Sequence, residues 1–133
     1  MSADVLFLCP HNAAKGVIAA AYFNRLAQQA GSALTADSAG TQPEEIVSPV
    51  VVAMLNKDGI DVSHYRPRHV TPAELESVPH LVSMGCTPAE LGEAWRRVKN
   101  WTDIPAVSQN PEGARTAILA GVERLLAELR EKL

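Results

Sequence analysis

The chain has 133 residues, 47% of them apolar and 20% charged, with a formal net charge of -3. That length suits a single domain over residues 1–133, and the acidic balance gives no electrostatic basis for nucleic acid or a membrane as partner. Two cysteines, and no basic flank before the first apolar run, lead to the expectation of a reducing, cytoplasmic setting rather than a disulfide scaffold.

Val5, Leu6, Phe7 and Leu8 form an unbroken apolar run, the pattern of a strand covered on both faces. It stops at Cys9, and after Pro10, His11 and Asn12 a helical pattern begins between Ala13 and Gly16. A strand that feeds a helix through a tight loop makes an anion site, because loop amides and the helix N-terminus converge there. His11, Asn12, Ala13, Ala14, Lys15 and Gly16 are therefore the candidate oxyanion-binding residues. A thiol at the mouth of such a site is favoured in its charged form, and Lys15 adds a cation. Nucleophile, cradle and cation in one short stretch suit chemistry on a phosphate-like oxyanion. Cysteine is also often buried as a small hydrophobe, so this stretch alone leaves both readings of Cys9 open.

Val17–Ala30 reads as an alanine-rich helix with Ile18, Ala21, Tyr22 and Leu26 at helical spacing, and Leu34–Ala39 as a second strand. Such a βαβ unit implies a parallel pair. Ser48-Pro49 opens another helix, with Val51, Met54 and Leu55 on one face and Asp58-Gly59 closing it. Ile60–Arg68 shows no period. The pentapeptide Thr-Pro-Ala-Glu-Leu occurs at Thr71–Leu75 and again at Thr87–Leu91, each time as a capping box. The first predicts a short helix, the second one running towards Val98. Between them His80–Gly85 reads as a strand, and Arg96–Trp101 as a fourth. After the loop Thr102–Gly113, the spacing of Ile118, Gly121, Val122, Leu125 and Leu129 predicts a long C-terminal helix. Strands alternating with helices make an α/β fold whose ligand rim lies at the carboxyl ends of the strands, where Cys9, Ser38–Gly40 and Gly85-Cys86 gather.

The strand–Cys9 loop–helix unit, Ser38-Ala39-Gly40-Thr41, Gly59-Ile60-Asp61-Val62-Ser63 and Met84-Gly85-Cys86 occur in an order that resembles the low-molecular-weight protein tyrosine phosphatase and arsenate reductase superfamily. The resemblance covers nearly the whole chain. It implies a single-domain, three-layer fold with a four-stranded parallel sheet flanked by helices, and Cys9 as nucleophile. In that family the loop runs cysteine, five residues, arginine, serine; here Lys15 and Gly16 hold the last two places. Lysine offers a point charge where arginine grips two oxygens with a planar fork. Gly16 has no hydroxyl for the sulfur, and Pro10 removes one loop amide. These departures count against an efficient tyrosine phosphatase, whereas a lysine at this position is similar to the mycothiol-coupled arsenate transferases. Asn12 matches the asparagine that shapes the cradle, and His11 replaces a glycine. Cys86 falls where thioredoxin-coupled reductases carry a resolving cysteine, although their third redox cysteine has no counterpart. Asp103, shifted by a residue from the family's Asp-Pro pairing, is the nearest match to the phosphatase general acid.

The function expected is a thiol-dependent arsenate reductase or arsenate–thiol transferase, with Cys9, Lys15, Asp103 and Cys86 as the candidate catalytic residues. A low-molecular-weight phosphatase for phosphotyrosine or aryl phosphates is the alternative, and an oxyanion-binding regulatory module without turnover the third reading. No tightly bound cofactor is implied. The expected partners are an arsenate- or phosphate-type oxyanion and an external thiol reductant, be it thioredoxin, glutathione with glutaredoxin, or mycothiol. His64, His69 and His80 are too scattered to suggest a metal site. Ser38 and Thr41 read as turn formers, and Arg66 with Arg68 as an exposed basic pair.

Overall fold

The computed structural model describes residues 3–132. Strand β1 (Val5–Leu8) lies inside a four-stranded, all-parallel sheet of order β2-β1-β3-β4, formed with β2 (Ala36–Ala39), β3 (His80–Ser83) and β4 (Val98–Asn100). The apolar run of β1 follows from its central position. Val5 and Phe7 enter the larger core with residues such as Ile18, Phe23, Leu55 and Ile118, while Leu6 and Leu8 enter a smaller one with Val78, Leu81 and Leu91. Alternate residues point to opposite faces, so a strand covered twice must be apolar throughout.

Helices α1 (Lys15–Gln29), α2 (Pro49–Lys57) and α5 (Pro111–Glu131) supply the first layer; α3 (Pro72–Ser77) and α4 (Pro88–Leu91) supply the third. The expected three-layer α/β architecture is the one found. Phe7 is clamped between Phe23, 6.2 Å away edge-on, and Trp101, 5.7 Å away, which joins β1 to α1 and to the start of the loop after β4.

Several boundaries differ from the sequence-based expectation: the first helix runs Lys15–Gln29 rather than Val17–Ala30, and the third strand ends at Ser83, short of Met84 and Gly85, because Gly85 turns the chain with φ 103. The second strand starts at Ala36 rather than Leu34, because its partner β1 starts only at Val5, in register with Ala36. The second capped helix stops at Leu91. Gly92 turns the chain with φ 59, and Gly92–Arg97 continues as a 3-10 helix that takes up Arg96 and Arg97. The fourth strand is thereby cut to Val98–Asn100. Leu8 pairs in register with both Ala39 and Ser83, so Cys9, Gly40 and Met84 leave the sheet together at one rim.

Candidate active site

The Cys9 amide still donates to the Ala39 carbonyl at 3.3 Å before the chain leaves the sheet. Helix α1 then begins at Lys15 behind Ala14, which provides no side-chain cap. Its first amides are left for other acceptors. One of them, on Gly16, donates to Cys9 Sγ at 3.4 Å. A Cβ on Gly16 would stand 3.2 Å from that sulfur and 3.3 Å from the Phe7 carbonyl oxygen, so glycine is what brings the helix up to the thiol. Gly40 matters for the same reason: a Cβ there would lie 2.6 Å from the Pro10 carbonyl oxygen.

Asn12 holds a left-handed backbone, φ 48, and is fully buried beneath the loop. Its Nδ2 donates to the Tyr65 hydroxyl at 3.1 Å and to the Arg68 carbonyl at 3.4 Å. Tyr65 gives its one proton to the Ser38 carbonyl at 2.9 Å and has Ser38 Oγ at 2.8 Å. A phenol can serve all three at once, as one donor and two acceptors. Tyr65 is therefore the hub under the loop. Nothing in the aperiodic segment Ile60–Arg68 marked it, since its partners lie far away in sequence. Outside the loop, the 42–48 segment is stitched on by three backbone bonds, Gln42 N to Pro10 O (2.7 Å), Glu44 N to His11 O and Ser48 N to Ala13 O (both 2.9 Å).

A cavity of about 520 Å³ opens over Cys9, with His11, Ala13, Ala14 and Lys15 among its walls, Glu44 and Val50 at one side and Met84, Gly85 and Val107 at the other. Lys15 Nζ donates to the Ile104 carbonyl at 3.1 Å, which ties the loop cation to the segment after β4. A larger groove of about 670 Å³, between α3 and the 3-10 helix, holds no thiol and is lined by residues such as Leu75, Leu91, Arg96 and Arg97. Chemistry, not size, singles out the cavity over Cys9.

The structure gathers Cys9, His11, Ala13, Ala14 and Lys15 at this cavity and leaves other candidates elsewhere. Asn12 faces inward to Tyr65, and the Gly16 amide serves the sulfur. Asp103 is exposed and outside the cavity walls. Trp101 and Ile104 on either side of it pack against the core, which turns residues 102 and 103 outward; Val107 is the buried residue through which this segment reaches the cavity. Cys86 is buried in the smaller core and lines no wall over Cys9. Burial pushes its thiol up, against hydrogen bonds from Ser83 and Thr41 that pull it down. Arg68 is not a free rim cation: it binds both carboxylate oxygens of Glu74, at 2.9 and 2.6 Å, and Asp37 at 3.0 Å. Thr41 donates to Glu90 at 2.6 Å, and Ser38 belongs to the Tyr65 hub.

Residues 4–99 match the family model for "Low molecular weight phosphotyrosine protein phosphatase". A Halobacterium salinarum protein named "Putative arsenate reductase" is 31% identical over 107 residues, covering 76% of this chain and 75% of that one. Among solved structures, YfkJ from Bacillus subtilis superposes with a TM-score of 0.87 at 23% identity, covering 99% of this chain and 97% of its own. An arsenate reductase from Archaeoglobus fulgidus superposes with a TM-score of 0.68 at 28% identity, covering 94% and 97%.

Proposed function

This chain belongs to the low molecular weight phosphotyrosine protein phosphatase family, and from that premise we propose that it is a thiol-dependent arsenate reductase or arsenate–thiol transferase acting through Cys9. The observation that carries the reading is the content of the Cys9 cavity. It holds a thiol, an uncapped helix N-terminus and Lys15, while Asp103, the candidate acid for releasing an alcohol or phenol from a phosphate ester, stands outside it. Arsenate asks for no such acid, because the group displaced from arsenic leaves as water.

In the first step the Cys9 sulfur bonds to arsenic, and a hydroxyl ligand departs as water with the thiol's proton. An external thiol then displaces Cys9 from arsenic, which stays in its higher oxidation state. A second thiol attacks the sulfur of that adduct: a disulfide forms, the S–As bond breaks, and its electron pair leaves with arsenite. The role of Lys15 is to hold the equatorial charge as a point cation. Cys86 lines no wall of the Cys9 cavity and packs into the smaller core, which favours an external resolving thiol over an internal one.

The test is arsenite production from arsenate with thioredoxin, glutathione plus glutaredoxin, and mycothiol in parallel, with p-nitrophenyl phosphate as control. Thiol-dependent arsenite formation that disappears in Cys9→Ser is the expected result. Steady aryl phosphate hydrolysis that requires Asp103 would transfer the assignment to a phosphatase, the reading favoured by the family model's own description. Tight phosphate binding with turnover of neither substrate would leave an oxyanion-binding module. Peptide mapping after one arsenate turnover decides the second thiol: Cys9 recovered as a free thiol, with the disulfide carried by the added thiol, is expected, and a Cys9–Cys86 disulfide would make Cys86 the resolving residue.

A further inference from the structure

We infer that His11 is the general base of the thiol-exchange step, taking the proton of the incoming thiol at Nε2. This inference rests on the arsenate reading above. His11 lines the cavity over Cys9 beside Lys15, at its solvent side, with a side chain 61% exposed. Its Nδ1 lies 3.2 Å from the Gln42 carbonyl oxygen. A carbonyl can only accept, so Nδ1 carries the hydrogen and the lone pair of the neutral ring is on Nε2. Nε2 makes no hydrogen bond to any described residue.

The ring is held, not merely adjacent. Gln42, whose carbonyl fixes the tautomer, is itself fastened to the loop by its amide on Pro10 O, and the next stitch joins Glu44 N to His11 O. Glu44 Oε1 stands 3.9 Å from Nδ1, where it meets the positive charge that appears once Nε2 is protonated. Both side chains are more than half exposed, so the pair orients the ring rather than anchoring the fold. A base held by a carbonyl at one nitrogen and open at the other is the arrangement general base catalysis needs.

The step balances without any further reagent. The thiol's S–H bond breaks, its proton goes to Nε2, and its sulfur bonds to arsenic. The Cys9 S–As bond breaks with its electron pair on Cys9, and the imidazolium returns the proton to solvent. Arsenic is neither oxidised nor reduced in this exchange. The loop amides and Lys15 hold the oxyanion throughout, which leaves the His11 imidazole free of any part in gripping it.

The test compares two reductants with the full chain: 2-mercaptoethanol, which is mostly protonated at neutral pH, and the aromatic thiol 2-nitro-5-thiobenzoate, which is already ionised. His11→Gln should slow exchange with 2-mercaptoethanol by about 100-fold or more, with the aromatic thiolate changed by less than about threefold. Added imidazole should restore the alkyl thiol rate. Arsenate should protect Cys9 from iodoacetamide equally in both proteins. Equal losses with the two thiols, no loss with either, or lost arsenate protection would overturn the base assignment. The last outcome would make His11 an oxyanion ligand instead. If the wild-type chain transferred arsenic to neither thiol, the base assignment would fall; the arsenate reading itself falls only if thioredoxin, glutathione with glutaredoxin and mycothiol also give no arsenite.

Discussion

At the scale of single residues, the two departures at the end of the loop set what chemistry is easy. Lys15 presents one point of positive charge, and its ammonium is already shared with the Ile104 carbonyl. A phosphoryl-transfer transition state spreads charge over three oxygens, two of which an arginine fork could meet. Gly16 gives Cys9 only a backbone amide. We expect weak p-nitrophenyl phosphate hydrolysis in the natural protein, and a rise of roughly tenfold in Lys15→Arg/Gly16→Ser if ~1.4 kcal/mol of transition-state stabilisation is recovered. The serine Cβ must push the sulfur by a few tenths of an ångström from 3.2 Å, so the single variant Lys15→Arg should be measured beside the pair. Brisk hydrolysis in the natural protein, slowed by the pair, would contradict this. Tyr65 gives the second residue-scale expectation. Tyr65→Phe strips the Ser38 carbonyl and Asn12 of their shared partner in a buried setting. A loss of about 1–3 kcal/mol is expected, seen as a lower urea midpoint with unchanged slope.

At the scale of elements, the repeated pentapeptide shows how one local device serves two tertiary ends. Both threonines accept from the amide of the glutamate three positions on, and both glutamates reach back to the cap amide. The glutamates then diverge. Glu74 grips Arg68 and so secures the segment whose carbonyl holds Asn12 from below, whereas Glu90 accepts from Thr41 and Gln42 at the edge of the anion loop. Thr71→Ala and Thr87→Ala should each cost ~1 kcal/mol as caps. The consequences for the site should differ from the cost in stability. Glu90→Gln weakens the acceptor for Thr41 and Gln42, and the Gln42 amide is what fastens this segment to Pro10 of the anion loop. A calorimetric titration should therefore show phosphate affinity falling more in Glu90→Gln than in Thr71→Ala. Equal affinities would mean that the 41–44 segment is held by its backbone bonds alone.

At the scale of the whole molecule, ion pairs on both sides of the sheet make stability depend on pH. Asp58 closes α2 against α1 and α5 by accepting from Tyr22 and Arg115, and the Tyr22 hydroxyl, then Arg115, hold its carboxyl below the usual range. Arg68 does the same for Glu74, and Thr41 for Glu90. In each case the folded chain binds the proton less readily than the unfolded one. Their stabilisation is complete above the ordinary carboxylate range, at about pH 5 and higher, and drains away as pH falls through about 4 and below. On the alkaline side Tyr22 is pushed up to about 12, first by burial and then by Asp58. Its contribution is present below about pH 10 and is lost as pH rises through the folded value. Urea midpoints should thus stay level near neutrality and fall on acidification, with Glu74→Gln flattening part of the fall. A midpoint unchanged between about pH 6 and 3 would refute the assignment.

The sequence by itself determined the features built from neighbouring residues. The apolar run of β1, the loop that follows it, the helix that starts at Lys15 and both capping boxes depend on contacts a few positions apart, and they are legible for that reason. The unbroken run also implied coverage on both faces, and hence the three layers. What only the tertiary structure decided are the contacts that join distant segments. Tyr65 reaches Asn12 and Ser38 across the fold, and Cys86 follows a strand on the same rim as Cys9 yet turns into the smaller core. Asp103 is swung outward because Trp101 and Ile104 on either side are claimed by the larger core, and the direction of His11 is set by a carbonyl 31 positions away. Burial and hydrogen bonding at such separations are settled by which surfaces pack together, and neither periodicity nor local spacing carries that information.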